Sequence, residues 1–444
     1  MPVREFARFR RLFALRCCKH GRRSPFSTNV NVEGPQACGD TVTVDGKSYE
    51  TDDQTNVTSR ILSHTERKLH LQKCHPIQLL KRRIADFFTK NYVNRRGNPN
   101  FSVYDRLSPV VTLEQNFDSL LVPKSHPVSL QERQLLRERL AHAPRPTRRL
   151  IRSSLVRSGL DAFLVAGDVY RRDQIDRHHY PVFHQMEGVR LFSADQLFEG
   201  RVAARDGLEL FEDGSRDETK QALHTMETAK LLEYSLKTCL QGLAKQLFGP
   251  ETETRWVPTT FPFTHPSWEL EARFQGDWLE LLGCGIMEQE ILYNAGAEQK
   301  VGWAFGLGLE RIAMTLYKIP DIRAFWSTDP GFLSQFEHDD PYKPVSFKVL
   351  SSHPPCLADM SFWVPTDFAP NDFFDLVRSV GGDLVERVEP VDVFTHPKTQ
   401  RTSHCFRVVY RHMERVMTQE EANVIHREVG KRAEERLGVE LRIK

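Results

Sequence analysis

None of the eight cysteines forms a Cys-x-x-Cys pair in this 444-residue chain, which argues against a zinc ribbon, a dithiol redox motif or a disulfide framework. Reduced, scattered thiols fit a cytosolic or matrix compartment. No apolar run approaches the roughly 18 residues that a membrane helix needs, so no membrane association is expected. No Cys–His or Ser–His–Asp arrangement stands out as a nucleophilic centre, and no residue set reads as a resident metal site. Net charge is also scarce, at +2, with 27% charged and 40% hydrophobic residues, an ordinary globular composition with room for two or three domains.

What charge imbalance there is sits at the N-terminus. Residues 1–32 hold eight Lys or Arg and a single acid, Glu5. Arg4, Arg8, Arg10, Arg11 and Arg16 interleave with Phe6, Phe9, Leu12, Phe13 and Leu15, which gives a helix one basic and one apolar face. Ser24 and Ser27 follow Arg22 and Arg23. This is the composition of a mitochondrial presequence, the alternative being a basic RNA-binding arm. Without residues 1–32 the formal charge falls to about −5, so any RNA binding must come from local patches.

Residues 33–65 are polar and weakly patterned, and are read as a linker or extension. Apolar spacing predicts helices over Pro76–Tyr92, His224–Phe248 and Gly308–Tyr317. Strands are predicted at Ala162–Val169, Gly188–Phe192, Trp278–Gly285 and Tyr293–Val301, with an extended segment over Leu107–Pro123. Helices do not alternate strictly with strands, which predicts an α+β fold with a mainly antiparallel sheet and flanking helices over residues 66–340. The Asp- and Pro-rich stretch Phe336–Pro344 marks a boundary. Beyond it, residues 345–444 read β–α–β–β–α–β: Ala358–Val364, Asn371–Val380, Leu384–Val391, Ser403–Val409, Gln419–Leu437 and Val439–Ile443. Thr418 and Glu421 have the spacing of a capping box.

Two segments carry the chemistry. Tyr170-Arg171-Arg172-Asp173 is followed by Phe183-His184-Gln185-Met186-Glu187. Arg offers a forked donor for phosphate, Phe a face for a base, Gln and Glu acceptors for an amino group. A solvated turn between strands is the plainer reading. Gly302-Trp303-Ala304-Phe305-Gly306-Leu307-Gly308-Leu309-Glu310-Arg311 turns from strand to helix, and its glycines let a nucleotide approach the backbone. It is neither GxGxxG nor a P-loop. A glycine bulge beside a buried helix is its plainer reading.

Together the two segments resemble motifs 2 and 3 of the class II aminoacyl-tRNA synthetases. Asn116-Phe117-Asp118, His126-Pro127, Phe261-Pro262-Phe263-Thr264-His265-Pro266-Ser267, Trp278-Leu279-Glu280 and Gly283-Cys284-Gly285 are similar to the phenylalanyl-tRNA synthetases, and the leader and single-chain layout to their mitochondrial form. The resemblance spans about residues 75–444. It implies a class II antiparallel catalytic domain plus a ferredoxin-like βαββαβ anticodon-binding domain. It implies an enzyme of the mitochondrial matrix that uses ATP and Mg²⁺ to charge tRNA(Phe) with phenylalanine; both domains on one chain lead to the expectation of a monomer, although class II domains often dimerise. Arg171 and Arg311 would be the catalytic cations on the phosphates. His178, His179, Tyr180 and Phe183 would lie along ATP. Met186, Phe261, Phe263 and Phe305 would line the phenylalanine or wider substrate site, and Gln185, Glu187 and Glu280 would bind polar groups of the amino acid or the ribose. Lys398, Arg401, Arg407, Arg411 and Arg415, interleaved with Phe406 and Tyr410, would form the tRNA surface. With no length left for an editing domain, measurable charging with tyrosine is expected.

Residues 131–157 depart from that family. It carries Asp-Asn-Tyr-Tyr and then His-Met-Leu-Arg-Ala-His-Thr-Ser-x-His-Gln, whereas this interval holds eight Arg and no Lys. Codons for Arg133-Gln134-Leu135-Leu136 and for Ala141 to Pro146 can be read one base later as family segments. A shifted reading frame, restored near Ser154, is therefore expected, the alternative being a divergent basic loop. Either way the ATP half of the site is complete in sequence and the phenylalanine half is not. A tRNA-binding protein with impaired catalysis is the alternative function.

Overall fold

The computed structural model describes residues 41–44, 47–50, 63–64, 67–107, 110–111, 143–144, 151–170, 174–199, 207–274, 276–328, 330–348, 354–366, 368–412 and 415–442. Arg171, the segments 112–142 and 145–150, and the N-terminal leader lie outside them. The extended segment expected over Leu107–Pro123 is described only at Leu107 and in the short strand Val110–Val111.

The first core is built on a seven-stranded sheet. Its strands are β1 (Ser102–Tyr104), β2 (Ala162–Tyr170), β3 (Val182–Phe192), β4 (Thr254–Phe261), β5 (Thr264–Phe274), β6 (Asp277–Met287) and β7 (Val301–Gly308). They lie in the order β1-β2-β3-β7-β6-β5-β4, antiparallel except for the β1–β2 pair. Side chains alternate faces along each strand, so one register sorts the whole sheet. Leu282, Cys284 and Ile286 of β6, with Trp303, Phe305 and Leu307 of β7, enter a large core beneath three helices. Gly283, Gly285, Ala304 and Gly306 present small groups on the opposite face, where Gly283 pairs with Gly306 and Gly285 with Ala304.

The helices are α1 (Pro76–Asn91), α2 (Met226–Phe248) and α3 (Leu309–Tyr317). His75 caps α1 by accepting from Ile77 N at 3.2 Å, with Pro76 in the first turn where its missing N–H costs nothing. Ile77, Leu80, Ile84 and Phe88, all fully buried, form its inward stripe. Thr225 caps α2, and Gly249 ends it at a φ of 109°, which favours glycine. Tyr293–Val301, expected as a strand, is instead a short helix, Gln289–Asn294, then a turn into β7. The stretch from Asn294 to Lys300 has no apolar run to bury as a strand; Ile291 and Leu292 anchor the helix just before it, and Gly296 at φ 72° makes the turn. The β4–β5 hairpin was not foreseen.

The second core holds β8 (Cys356–Trp363), α4 (Pro370–Gly381), β9 (Val385–Thr395), β10 (Thr402–Tyr410), α5 (Gln419–Leu437) and β11 (Glu440–Leu441). The antiparallel order β9-β10-β8-β11 is the ferredoxin-like arrangement. The capping box at Thr418 and Glu421 forms as its spacing implies. Phe406 and Tyr410 are buried in this core rather than offered to a ligand.

A seam joins the two cores. Ile175, in sequence part of the first, is buried in the second, and its carbonyl accepts from Val388 N at 2.8 Å. Glu386, 1% exposed, receives Arg177 at 2.6 Å from one side and Arg411 at 2.6 Å from its own. Arg323, also buried, donates to the Asp383 carbonyl at 2.7 Å.

Candidate active site

The face opposite the helices carries the residues expected to hold substrate. On β3 the alternation turns Phe183, Gln185 and Glu187 toward it, and Val182, His184 and Met186 toward the helices. Glu187 pairs with Gly306 and Gln185 with Gly308, so the polar side chains stand beside a floor of glycines. The Gln185 Oε1 is buried without a hydrogen-bond partner among the described residues, an acceptor held ready for a ligand. Across the floor, the turn of the β4–β5 hairpin brings Phe261 and Phe263 together, rings stacked at 5.5 Å. Phe261 lies over Gly283, where an added Cβ would come within 2.8 Å of its ring. Stacked aromatic rings beside a glycine floor with polar side chains at its end are a surface suited to an apolar amino acid.

At the other end, Arg311 leaves the first turn of α3 and donates to Glu280 at 3.2 Å, both side chains part-exposed. A cation on a helix N-terminus that is itself partly positive makes a place for anionic oxygens. His178 is exposed. His179 is fixed by Asp176, whose carboxylate binds its ring at 2.7 Å and also accepts both backbone N–H groups of the pair.

Four expected positions are placed elsewhere. Met186 is fully buried on the helix side of β3. Phe305 is buried on the same side, stacked on Phe88 at 5.3 Å, so it belongs to the core and not to that surface. The one-residue alternation of a strand puts Ala304 and Gly306 on the floor face and Phe305 behind them. Tyr180 is 7% exposed, and its hydroxyl donates to Asp383 in the seam at 2.6 Å. Arg411 is likewise spent in the seam. Of the other expected tRNA contacts, Arg407 forks onto Asp359 with two bonds of 2.7 Å, Arg415 onto Glu421, and Arg401 pairs with Glu440. Lys398 is exposed.

The helix side of the site hides a network that the sequence reading missed. His184 sits between Phe183 and Gln185, fully buried. Its Nδ1–H donates to Glu310 at 2.5 Å, its backbone N–H to the other oxygen of Glu310 at 2.8 Å, and its Nε2 faces Asp168 at 3.0 Å. His70 completes the group, 3.4 Å from Asp168 and 2.9 Å from the Asp105 carbonyl. Burial opposes the charged form of His184, but the Glu310 charge and bonds to both carboxylates outweigh it and raise its pKa to about 9. Burial likewise opposes ionised Asp168, and the two histidines overcome that and hold it below the usual carboxylate range. Burial lowers the pKa of His70, against the opposing pull of its contact with Asp168. His70, Asp168 and His184 are the one cluster among the described residues with metal-ligand chemistry, yet their polar atoms already face one another and Glu310. The arrangement is a buried imidazolium between two carboxylates, and it bolts β3 to the start of α3.

Residues 56–198 and 226–336 match the family model of the class II core domain (F) of the tRNA synthetases. Residues 351–442 match the ferredoxin-fold anticodon binding domain. The chain is 52% identical over 430 residues to the mitochondrial phenylalanine–tRNA ligase of Mus musculus, covering 96% of this chain and 94% of the relative. It is 50% identical to a probable mitochondrial phenylalanine–tRNA ligase of Drosophila melanogaster, over 90% of this chain and 92% of that one. The chloroplastic/mitochondrial phenylalanine–tRNA ligase of Arabidopsis thaliana is 44% identical over 95% and 89%.

Proposed function

The chain belongs to the phenylalanine–tRNA ligase family of class II aminoacyl-tRNA synthetases, and from that premise we propose how its own residues divide the reaction. It uses ATP to attach phenylalanine to tRNA(Phe), and its place is the mitochondrion. The basic amphipathic leader supports the matrix as its compartment, and both substrate-binding parts on one chain support a monomer. Nothing favours a form that has lost catalysis.

In this reading the surface formed by Phe261, Phe263 and the glycine floor takes the phenyl ring. Gln185 and Glu187 receive the ammonium group, which leaves the substrate carboxylate directed along β3 toward Phe183. Phe183 stacks on adenine. Arg171, read from sequence alone, holds the α-phosphate, and Arg311 the distal phosphates. The substrate carboxylate attacks the α-phosphorus in line, the bond to the β-phosphate oxygen breaks, and pyrophosphate leaves. A terminal ribose hydroxyl of the tRNA then attacks the adenylate carbonyl and AMP leaves. Both steps need alignment and charge neutralisation more than a general base. Glu280 offers the hard oxygen donors that Mg²⁺ prefers, and with the phosphates would hold the ion; when bound it supplies further neutralisation of phosphate charge.

The observation that carries this reading is the convergence of Gln185, Glu187, Phe261 and Phe263 on one glycine floor. Phenylalanine-dependent exchange of labelled pyrophosphate into ATP tests it. The purified chain is expected to support exchange without tRNA, and no exchange at any phenylalanine concentration overturns the reading.

A further inference from the structure

The open face of the C-terminal sheet carries an aromatic cluster to which nothing above assigns a role. Trp363 of β8, Ser403 of β10 and Phe394 of β9 lie in one row across three strands. Ser403 is small and 2% exposed, because rings from both sides lean over it, their centroids 6.3 Å apart. His396 stands edge-on to both, at 6.4 and 6.3 Å. Guanidinium groups lie over the indole: Arg401 at 5.1 Å and Arg442 at 4.9 Å. Arg442 also donates to the Ser403 hydroxyl at 3.1 Å.

This is not interior packing. Helices α4 and α5 cover the opposite face, where Phe362 and Phe406 are buried, while Phe394 remains 39% exposed. Nor is it part of the seam. Arg411, just past the far end of β10, binds there, eight residue steps along an extended strand from Ser403, about 27 Å. Aromatic rings ringed by cations, next to the exposed Lys398, offer a base a stacking surface and its phosphates a counter-charge. Glu440, paired with Arg401, and Asp392, two residues from Phe394 on the same face, are the nearby acids; Arg401, Arg442 and Lys398 outnumber them and leave the patch basic.

We propose that Trp363, Phe394 and His396 form a stacking platform for an unpaired base of the tRNA anticodon loop, with Arg401 and Arg442 engaging its flanking phosphates. The proposal rests on the tRNA-ligase reading and gives it residues. These replace Phe406 and Tyr410, which the core has taken.

The test uses the full chain and tRNA(Phe) transcript. Trp363→Ala and Phe394→Ala are each expected to raise the KM for tRNA about tenfold or more, with phenylalanine-dependent pyrophosphate exchange unchanged. Trp363→Phe, which keeps a flat ring, is expected to restore most of the loss. Arg401→Gln with Arg442→Gln is expected to flatten the salt dependence of binding. An unchanged KM in both alanine variants overturns the platform. Because Phe394 is partly exposed, its variant reports even where Trp363→Ala unfolds. Absence of exchange by the unmodified chain would sink the ligase reading instead, while binding of an anticodon stem-loop RNA by chain and variants, followed by fluorescence anisotropy, still decides the platform.

Discussion

Glu310 holds His184 at two points, ring and backbone, and its neighbour Arg311 points at the site. Residues 183 and 185 flank the other end of the same link. The charge on His184 therefore helps set the distance between the strand that bears Phe183 and Gln185 and the helix that bears Arg311. Glu310→Gln keeps an acceptor for the backbone N–H but removes the charge. It is expected to lower kcat for pyrophosphate exchange about tenfold, equivalent to about 1.4 kcal/mol in the barrier, with a smaller change in the KM for phenylalanine. The pH sign follows from the raised pKa of about 9. Protonated His184 stabilises the fold fully below about 6.5, the value in the unfolded chain, and that stability is lost as pH rises through about 9. It amounts to something on the order of 3 kcal/mol. Asp168, held low, acts at the other limb: its stability is present above about 4 and lost as pH falls. Urea midpoints at pH 6.5, 8 and 9.5 are expected to decline, and His184→Gln to flatten that decline from a lower start. On the substrate side, Gly283→Ala would drive a methyl against Phe261. The expected result is a raised KM for phenylalanine with the KM for ATP unchanged. An equal rise in both would mean that Gly283 only supports the sheet.

At the scale of elements, strands legible in sequence were those with long apolar runs, such as β2, and helices with strong stripes, such as α1. In the β4–β5 hairpin only β4 lacks a simple alternation, with Val257 and Pro258 following Trp256; β5 alternates cleanly, Trp268, Leu270 and Ala272 inward and Glu269, Glu271 and Arg273 outward, a strand signal overlooked beside the Pro-flanked loop Phe261–Ser267. The motif residues were legible as a set but not as faces. Whether a residue on β3 or β7 meets substrate depends on strand parity, which Met186 and Phe305 show: adjacent in sequence to site positions, they point into the core. The His184 network was hidden for a related reason. Its members come from four distant segments, and only Glu310 lies within the quoted glycine motif. Residues 131–157 lie largely outside the described structure, so their departure from the family is a matter for exchange of the whole element. Replacing them with the corresponding segment of the Mus musculus relative is expected to lower the KM for phenylalanine at least tenfold, and to leave the KM for ATP near its starting value. Equal phenylalanine affinity in chain and chimera would show that the interval does not reach the phenylalanine site.

At the scale of the molecule, the seam decides how the two cores act on each other. Glu386 is its centre: one buried carboxylate facing Arg177 and Arg323 from the catalytic side and Arg387 and Arg411 from its own. Removing one partner of such a group leaves buried charge uncompensated, which typically costs about 3–5 kcal/mol. The segment pinned there, Ile175–Tyr180, also carries His178 and His179, the residues expected along ATP. The seam thus supports the nucleotide end of the site from the outside. Glu386→Ala is expected to lower the melting temperature by several degrees and to split one calorimetric transition into two, as the cores lose their common interface. It is also expected to raise the KM for ATP in pyrophosphate exchange at 25 °C, an assay with no tRNA present and well below the transition. A lowered melting temperature with an unchanged KM for ATP would confine Glu386 to stability, and would separate the anticodon-binding domain from the nucleotide site in every respect but tethering.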